Sequence, residues 1–226
     1  MSRRYFNLVA PVVLAGTIGV HLSGAAGGSA GGAPAAPPPG SGGSVNWAVN
    51  LWSQLDRAVF WSVPLIPKGA SLDAAANGDY DDHYRRAAQT LAASRPQDSK
   101  VFVRTGWEFN GDWFPRAAQG NEQAFMGAFR HFVSAFRSVS SRFVFEWNVD
   151  IGNKDAAAMN PETAYPGDDY VDIIGMDMYW NTAWDPQDPE AAWQSMVTRQ
   201  WAPAMAPGLR GGTRQADLVL GVGHRV

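Results

Sequence analysis

The chain of 226 residues contains no cysteine and only four histidines. The absence of cysteine excludes disulfides, thiolate nucleophiles and thiolate-ligated metals. The histidines do not occur at the spacings of a metal site, and His21 lies in an apolar N-terminal stretch. Metal-dependent hydrolysis therefore fits poorly, and no cofactor is expected. Lys and Arg are scattered and the net charge is −3, which argues against a nucleic-acid partner.

Residues 1–26 have the composition of a secretion signal. The positively charged "MSRRYFN" precedes the apolar "LVAPVVLAGTIGV", and the small residues of "SGAAGG" suit cleavage. The apolar stretch is shorter than the about 20 residues of a membrane span, so we expect no stable membrane association after signal removal. The pair Arg3-Arg4 occurs in twin-arginine signals, which export folded proteins, and also in ordinary signals. By either route the sequence predicts a secreted, extracellular protein.

Residues 27–44 consist entirely of Gly, Pro, Ala and Ser, and are typical of a linker that cannot bury a core. From residue 45, strand-like segments alternate with segments of helical period, which predicts an α/β fold with a parallel sheet. Asn121 is expected to cap the second predicted helix. The predicted strands cover residues 57–67, 100–107, 142–149 and 169–180, and the predicted helices cover residues 80–94, 121–139 and 189–199.

Polar side chains follow three of the predicted strands at the point where each strand ends. Because the carboxyl ends of parallel strands meet at one edge of a sheet, we expect these side chains to converge there. The alternative is that they only cap loops, but each group also lies beside a tryptophan, which favours a site. The polar groups are Glu108 with Asn110, Asn148 with Asp150, and Asp177 with Tyr179; the tryptophans are Trp107, Trp113, Trp147 and Trp180.

Glu108 is flanked by Trp107, Phe109 and Trp113. Such surroundings desolvate a carboxyl group and raise its pKa, which makes Glu108 a candidate proton donor near neutral pH. A glycosidic leaving oxygen needs such a donor, and glycoside hydrolysis usually needs a second carboxylate as nucleophile or base. The ten tryptophans are equally compatible with an aromatic core and with a carbohydrate cleft, in which indole faces stack on sugar rings.

Four motifs follow one another along the chain: "SVPLIPKGASL", "RTGWEFNGDWFP", "FVFEWNVD" and "YPGDDYVDIIGMDMYW". Together and in this order they resemble glycoside hydrolase family 26, the β-mannanase-type (β/α)8 barrels of secreted enzymes that act on plant polysaccharides. The resemblance extends from about residue 57 to residue 200. It implies an α/β TIM barrel, of which strands three to six are recognisable within residues 45–200. It also implies a retaining endo-β-1,4-glycanase with a mannan-type polysaccharide or oligosaccharide as its partner, and we expect a monomer.

The same resemblance assigns roles to individual residues. Glu108 matches the family's acid/base glutamate, and Tyr179 matches the tyrosine that contacts the nucleophile. Trp107 stands where members commonly have a histidine, which leaves open whether the substrate is mannan or another β-1,4-glycan. Asp168 and Asp169 belong to the family's Tyr-Pro-Gly-Asp-Asp turn, which we interpret as structural. The other positions expected to bind substrate are Arg104, Asn110, Trp113, Trp147 and Asp177.

The family's nucleophile, a seventh-strand glutamate in a G-K-P…E-W-G stretch, has no counterpart after Arg199. Residues 201–226 show neither helical nor strand period, and their composition is typical of GC-rich DNA read in the wrong frame. Back-translated with free third bases and read one nucleotide later, Gln200–His224 permits N-G-L-x-x-W-H-x-D-F-A-x-x-H-G-K-P-I-S-F-S-E-W-G. We therefore expect a frame shift near residue 199, with the nucleophile encoded across the Gly221 and Val222 codons but not translated.

The in-frame alternatives to that glutamate are Glu146, Asp150, Asp168 and Asp177. Strand alternation places Glu146 on the face opposite Trp147, which makes it a poor candidate, and Asp177 is the best of the four. A truncated chain with four of eight barrel strands leaves sheet edges unpaired, so we expect it to aggregate readily. Two other hypotheses stay open: a non-catalytic carbohydrate-binding protein with a tryptophan-lined cleft, and a non-functional fragment.

Overall fold

The computed structural model describes residues 43–53, 55, 58–66, 69–150, 159–181, 186–198 and 217–225. The predicted signal, nearly all of the predicted linker and residues 201–216 of the predicted out-of-frame tail lie outside the described residues. In chain order the elements are α1 (Gly43–Trp52), β1 (Phe60–Ser62), α2 (Leu72–Ala76), α3 (Asp81–Ser94), β2 (Val101–Arg104), α4 (Glu122–Val139), β3 (Phe143–Asp150), a 3-10 turn (Pro161–Ala164), β4 (Ile173–Asn181), α5 (Pro189–Thr198) and β5 (Asp217–Arg225).

The five described strands form one sheet in the order β1-β2-β3-β4-β5, and every neighbouring pair is parallel. Parallel neighbours need a crossover connection, and helical segments lie between successive strands. Strands that are neighbours both in sequence and in space, joined by helices, form the repeat of a (β/α)8 barrel. The predicted α/β fold with a parallel sheet is confirmed.

The four predicted strands and three predicted helices are all present, and three of the strands are shorter than predicted. The strand predicted at 100–107 ends at Arg104, before the turn in which Gly106 has φ 61°. The strand predicted at 57–67 is limited to β1, because the segment after it contains Pro64 and Pro67, which remove backbone donors from a sheet ladder. The strand predicted at 169–180 begins only at Ile173. The residues before it form a turn in which Gly167 has φ 106° and the Tyr170 amide donates to the Gly167 carbonyl at 2.9 Å.

Helices α1 and α2, strand β5 and the 3-10 turn were not predicted from the sequence. The stretch "VNWAVNLW" belongs to helix α1, whose partly buried residues recur at helical spacing and pack against the core. Strand β5 lies within the segment expected to have no strand period, so that expectation is wrong for residues 217–225. The run "DLVLGV" contains enough leucine and valine to form a strand beside β4. The packed residues of α1 are Val45, Ala48, Val49 and Trp52.

Helix α4 supplies most of the aromatic core through phenylalanines at helical spacing. Phe129, Phe132 and Phe136 have no exposed surface, and the last two contact Phe145 of β3 edge-on at ring-centroid distances of 6.3 and 5.9 Å. Burying one such side chain stabilises a fold by about 1.5–3 kcal/mol. This packing fixes one face of β3 against the helix layer.

The start of α4 differs from the prediction. Asn121 makes no side-chain capping hydrogen bond with the helix; instead the Glu122 carboxylate accepts a hydrogen bond from the Gly120 amide at 3.0 Å. The acidic side chain in the first turn also suits the positive end of the helix dipole. No helix in the described ranges is both long enough and apolar enough to cross a membrane.

The face of β3 away from α4 is polar, because successive side chains on a strand alternate between its faces. Glu146 and Asn148 lie there, and their carboxyl and amide groups are hydrogen-bonded at 3.1 Å. Gly175 of β4 is paired with Asn148, and a Cβ atom at Gly175 would lie 1.7 Å from Oε1 of Glu146. The glycine therefore provides the space that the buried glutamate occupies.

We expect Gly175→Ala to lower the free energy of unfolding in urea by about 1–3 kcal/mol, because the new methyl group overlaps the Glu146 carboxyl. In a Glu146→Ala background the same substitution should cost much less, since the overlapping atoms are gone. Gly120→Ala is the control: Gly120 has φ 75° and open space around its Cα, so it reports backbone strain alone, roughly 1 kcal/mol. An equal cost of Gly175→Ala in both backgrounds contradicts this account.

Candidate active site

Glu108 is positioned by an unusual backbone turn after β2. Gly106 has φ 61° and Glu108 has φ 52°, and Glu108 is the one non-glycine residue with positive φ in the described part of the chain. Its amide donates to the Asn148 carbonyl of β3 at 3.1 Å. A left-handed conformation costs an L-residue roughly 1–2 kcal/mol, so surrounding contacts must hold it. The turn brings Glu108 to the carboxyl ends of the central strands.

The Glu108 carboxyl group is largely removed from water, with 8% of the residue exposed. Its Oε2 accepts a hydrogen bond from the indole Nε1 of Trp113 at 2.9 Å. Burial raises the pKa of Glu108 to about 7, and the negative charges of Asp177 and Asp150 act in the same direction. The Trp113 hydrogen bond and the Arg104 charge oppose this rise. The carboxyl group is thus poised to hold or release a proton near neutral pH.

Trp113 combines a hydrogen bond to Glu108 with an accessible ring, since 37% of the residue is exposed. The ring lies against the backbone of Gly111, where a Cβ atom would meet it at 2.1 Å. Glycine at position 111 is therefore required for this ring position. Of the tryptophans predicted to line a cleft, Trp113 is the one that presents substantial surface among the described side chains.

Arg104 and Asp177 form an ion pair across the sheet. Nη1 of Arg104 lies 3.2 Å from both carboxylate oxygens of Asp177, and Nε donates to the Ser62 hydroxyl at 3.3 Å. Oδ1 of Asp177 also accepts from the Asn148 amide at 3.0 Å. These charge-assisted hydrogen bonds hold the Asp177 carboxylate in a fixed position on the polar face. The expectation that Asp177 binds substrate stays a prediction.

Glu146 lies on the same polar face and is 5% exposed. Burial raises the pKa of Glu146 to about 7, and the Arg104 charge opposes this rise. The sequence correctly placed Glu146 and Trp147 on opposite faces of the strand, but the interpretation of the two faces was wrong. Trp147 faces the apolar side, and Glu146 faces the polar side that also carries Asp177.

Trp147 and Asn110 do not line a cleft, contrary to the prediction. The Trp147 ring has no exposed surface and packs at 4.9 Å from Phe109 and 5.3 Å from Tyr165, between ring centroids. Asn110 is also fully buried: its amide donates to the Asp150 carbonyl at 2.9 Å and its oxygen accepts from the Asp150 amide at 3.0 Å. Both residues hold the end of β3 in place.

The structure describes the predicted Tyr-Pro-Gly-Asp-Asp turn but not the side chain of Tyr179. The side chain of Tyr179 lies outside the described residues, so its expected contact with a nucleophile is a prediction still. In the turn interpreted as structural, Asp168 accepts a hydrogen bond from the Tyr165 hydroxyl at 3.0 Å, and the Asp169 carbonyl accepts from Arg137. In the described ranges, no group of three or more His, Asp or Glu side chains is arranged to hold a metal ion.

Arg116 is a site residue that the sequence interpretation missed. Only 6% of it is exposed, and its guanidinium lies between the rings of Trp107 and Phe114, with the central carbon 3.8 Å from each centroid. Nε and Nη2 donate to the Trp107 carbonyl at 3.2 and 3.0 Å. Burial lowers the pKa of Arg116 to about 9, and nearby Glu108 opposes this. Trp107, 8% exposed, is thus mainly a wall of this stack.

Comparison with known proteins gives one family and several structural relatives. The family model for glycosyl hydrolase family 26 matches residues 71–219. Endoglucanase H of Acetivibrio thermocellus is 34% identical over 131 residues, which cover 53% of this chain and 13% of that protein. The chain therefore spans a small part of the length of this curated relative.

Two solved structures extend the comparison. GH26A from Muricauda sp. is 18% identical with a TM-score of 0.50, covering 79% of this chain and 61% of that one. A β-mannanase from a symbiotic protist of the termite Reticulitermes speratus, in complex with gluco-manno-oligosaccharide, is 20% identical with a TM-score of 0.45, covering 70% and 54%. The first likeness agrees with a partial (β/α)8 barrel. The match over residues 71–219 shows that this chain belongs to glycosyl hydrolase family 26.

Proposed function

We propose that the protein is a secreted, retaining endo-β-1,4-glycanase that acts on mannan-type plant polysaccharide, with Glu108 as its acid/base. The observation that carries the proposal is the Glu108 carboxyl, which is buried, has a pKa of about 7 and is held by the Trp113 indole. The family membership supports glycoside hydrolysis. In the chain as it stands the nucleophile of that reaction is missing.

The proposed reaction uses Glu108 twice. Protonated Glu108 first donates its proton to the glycosidic oxygen, while a second carboxylate attacks the anomeric carbon and the leaving sugar departs. Glu108, now an anion, then removes a proton from the water that hydrolyses the glycosyl-enzyme bond. A carboxyl group with a pKa near 7 can serve in both steps at neutral pH. The exposed ring of Trp113 next to it offers a surface on which a sugar ring can stack.

The position of the missing carboxylate is supported by the register of β5. Gly221 is paired with Asp177 of β4, and Val222 is paired with Met178. Paired residues of neighbouring strands point to the same face, so a side chain at position 221 should share the polar face with Asp177. The shifted reading frame places its glutamate across the codons for Gly221 and Val222. In a retaining enzyme this carboxyl should lie about 5–5.5 Å from that of Glu108.

Two observations bear on whether the substrate is mannan or glucan, and they point to different sugars. The motifs around Glu108 resemble those of β-mannanases, which favours mannan. Endoglucanase H, with 34% identity, supports a glucan as the competing substrate. Mannan and glucan are both β-1,4-linked substrates of the kind that the proposed enzyme class cleaves. Trp107, next to Glu108, stands where family members commonly have a histidine, and this leaves the choice of sugar open. Parallel assays on manno- and cello-oligosaccharides separate the two.

A second candidate function is carbohydrate binding without cleavage, because this chain has an exposed tryptophan at the site and no carboxylate at position 221 or 222. Titration of tryptophan fluorescence with mannohexaose, together with chromatography of the sugar after incubation, tests this directly. Saturable quenching with intact sugar supports binding alone. Saturable quenching that Trp113→Ala does not weaken contradicts a site at Glu108.

We expect Gly221→Glu to confer hydrolysis of manno-oligosaccharides, because it places a carboxylate on the polar face near Glu108. Val222→Glu is the matched control: it adds the same group one residue further along, on the other face of the strand. Adding Glu108→Gln to the active variant should lower turnover roughly 10²-fold or more, measured as reducing ends released. Equal activity of the two glutamate variants, or none in either, contradicts the assigned nucleophile position.

The raised pKa values of Glu108 and Glu146 predict that the folded chain loses stability as pH rises. Each group binds its proton more tightly when folded than at its ordinary pKa of 4.5. Its stabilising contribution is therefore complete below about pH 4.5 and is lost as pH rises through about 7. Glu108→Gln should reduce the fall in unfolding free energy between pH 5 and 7 by about 1–3 kcal/mol.

Urea unfolding at several pH values measures this dependence. Glu190→Gln is the control, since Glu190 is exposed on α5 and its carboxylate accepts a hydrogen bond only from a residue of its own helix in the described part of the chain. A pH dependence that is the same in Glu108→Gln and in the unchanged chain means that Glu108 titrates near its ordinary value. That result removes the basis for an acid role near neutral pH.

A further inference from the structure

We propose that Arg116 is a positioning residue for Glu108: its guanidinium, stacked between Trp107 and Phe114, holds the Trp107 carbonyl and so fixes the backbone on which the acid is mounted. The inference rests on the proposed acid role of Glu108. It concerns a residue that lies eight positions further along the chain and outside the polar face of the sheet.

The peptide unit between Trp107 and Glu108 is held from two sides. Its carbonyl accepts two N–H groups of Arg116, at 3.2 and 3.0 Å, and its amide donates to the Asn148 carbonyl of β3 at 3.1 Å. The carbonyl and amide of one trans peptide point in opposite directions. These contacts therefore fix the plane of the peptide, and with it the direction in which the Glu108 side chain leaves the backbone.

Such restraint is needed because Glu108 has φ 52°, a conformation that non-glycine residues rarely adopt. If the Trp107 carbonyl were released, the peptide could rotate towards an ordinary conformation. The carboxyl group would then leave the indole Nε1 of Trp113, which it now meets at 2.9 Å. The orientation of the acid thus depends on a guanidinium that does not itself touch the reacting atoms.

The stack explains why the residue is arginine. A planar guanidinium can contact a ring on each face while its edge donates two hydrogen bonds to one carbonyl, and a lysine ammonium cannot do both. Contact with aromatic faces also stabilises a cation that is removed from water. The surrounding loop is closed by two backbone hydrogen bonds, from Ala117 to Phe114 at 3.0 Å and from Ala118 to Phe109 at 2.7 Å. Arg116 is therefore held in place on both sides of its own position.

The test uses two NMR readouts of the full chain that need no substrate. The first is hydrogen exchange of the Glu108 amide. The second is the pH titration of the Trp113 indole Nε1 proton, which reports the protonation of Glu108 through their hydrogen bond. Glu108→Gln must abolish the titration, which assigns it. We expect Arg116→Met to speed exchange of the Glu108 amide about tenfold or more and to shift or abolish the titration, because two hydrogen bonds from a charged donor are lost.

Arg116→Lys keeps the charge and should change both readouts in the same direction, because the planar stack and the second hydrogen bond are lost. Arg130→Met is the matched control. Arg130 also combines a hydrogen bond to a carbonyl, that of Pro166 at 2.8 Å, with a ring contact, to Tyr170 at 5.6 Å, but these lie away from Glu108. Both readouts should be unchanged in this control.

Unchanged readouts in Arg116→Met overturn the proposal, and so does full retention in Arg116→Lys, which would leave charge as the only contribution. If Arg116→Met does not fold, Phe114→Leu removes one ring and keeps the arginine. A smaller change in the same direction supports the proposal, and no change overturns it. Because neither readout involves cleavage, a failure of Gly221→Glu to hydrolyse sugar contradicts the proposed function and leaves these results intact.

Discussion

The packing of the α4 phenylalanines against one face of β3 is the constraint on which the rest of the structure depends. Side chains on a strand alternate with a period of two. Burying Phe145 against α4, and Trp147 against Phe109, therefore forces Glu146 and Asn148 onto the other face. A slip of one residue would exchange the two faces and bury the acids in the aromatic core. The apolar side of the fold thus determines which side of the sheet can carry charge.

Among the described side chains of the polar face, carboxyl groups outnumber the cations that can neutralise them. Arg104 pairs with Asp177, whose carboxylate also accepts a hydrogen bond from the Asn148 amide. Burial then penalises further charge nearby, and Glu108 and Glu146 keep their protons to about pH 7. The pKa of the proposed acid therefore depends on the charges that surround it as well as on its own burial.

The sequence predicted β1 to β4 and the helices α3, α4 and α5, because their periodicity and proline boundaries are local. It also predicted the burial of the Glu108 carboxyl, because three aromatic neighbours in sequence are enough to expect desolvation. The faces of β3 could not be assigned, since alternation shows which residues share a face but not which face meets α4, and Trp147 was misplaced for that reason. Arg116 was missed because its role arises from a loop that folds back, although an arginine in "WFPR" is a signal for stacking. Strand β5 was missed because its glycines lower the strand propensity of the segment, whereas in the structure it pairs along its length with β4.

The contact between Trp113 and Glu108 couples the binding of a ligand at the Trp113 ring to the pKa of Glu108. The same indole presents a face to solvent and donates its N–H to the acid, while Gly111 leaves no room for the ring to lie closer to the backbone. A ligand that tilts the ring lengthens the hydrogen bond that stabilises the carboxylate, so the occupied site holds its proton more firmly than the empty one. By thermodynamic reciprocity, such a ligand binds more tightly to the protein in which Glu108 is protonated.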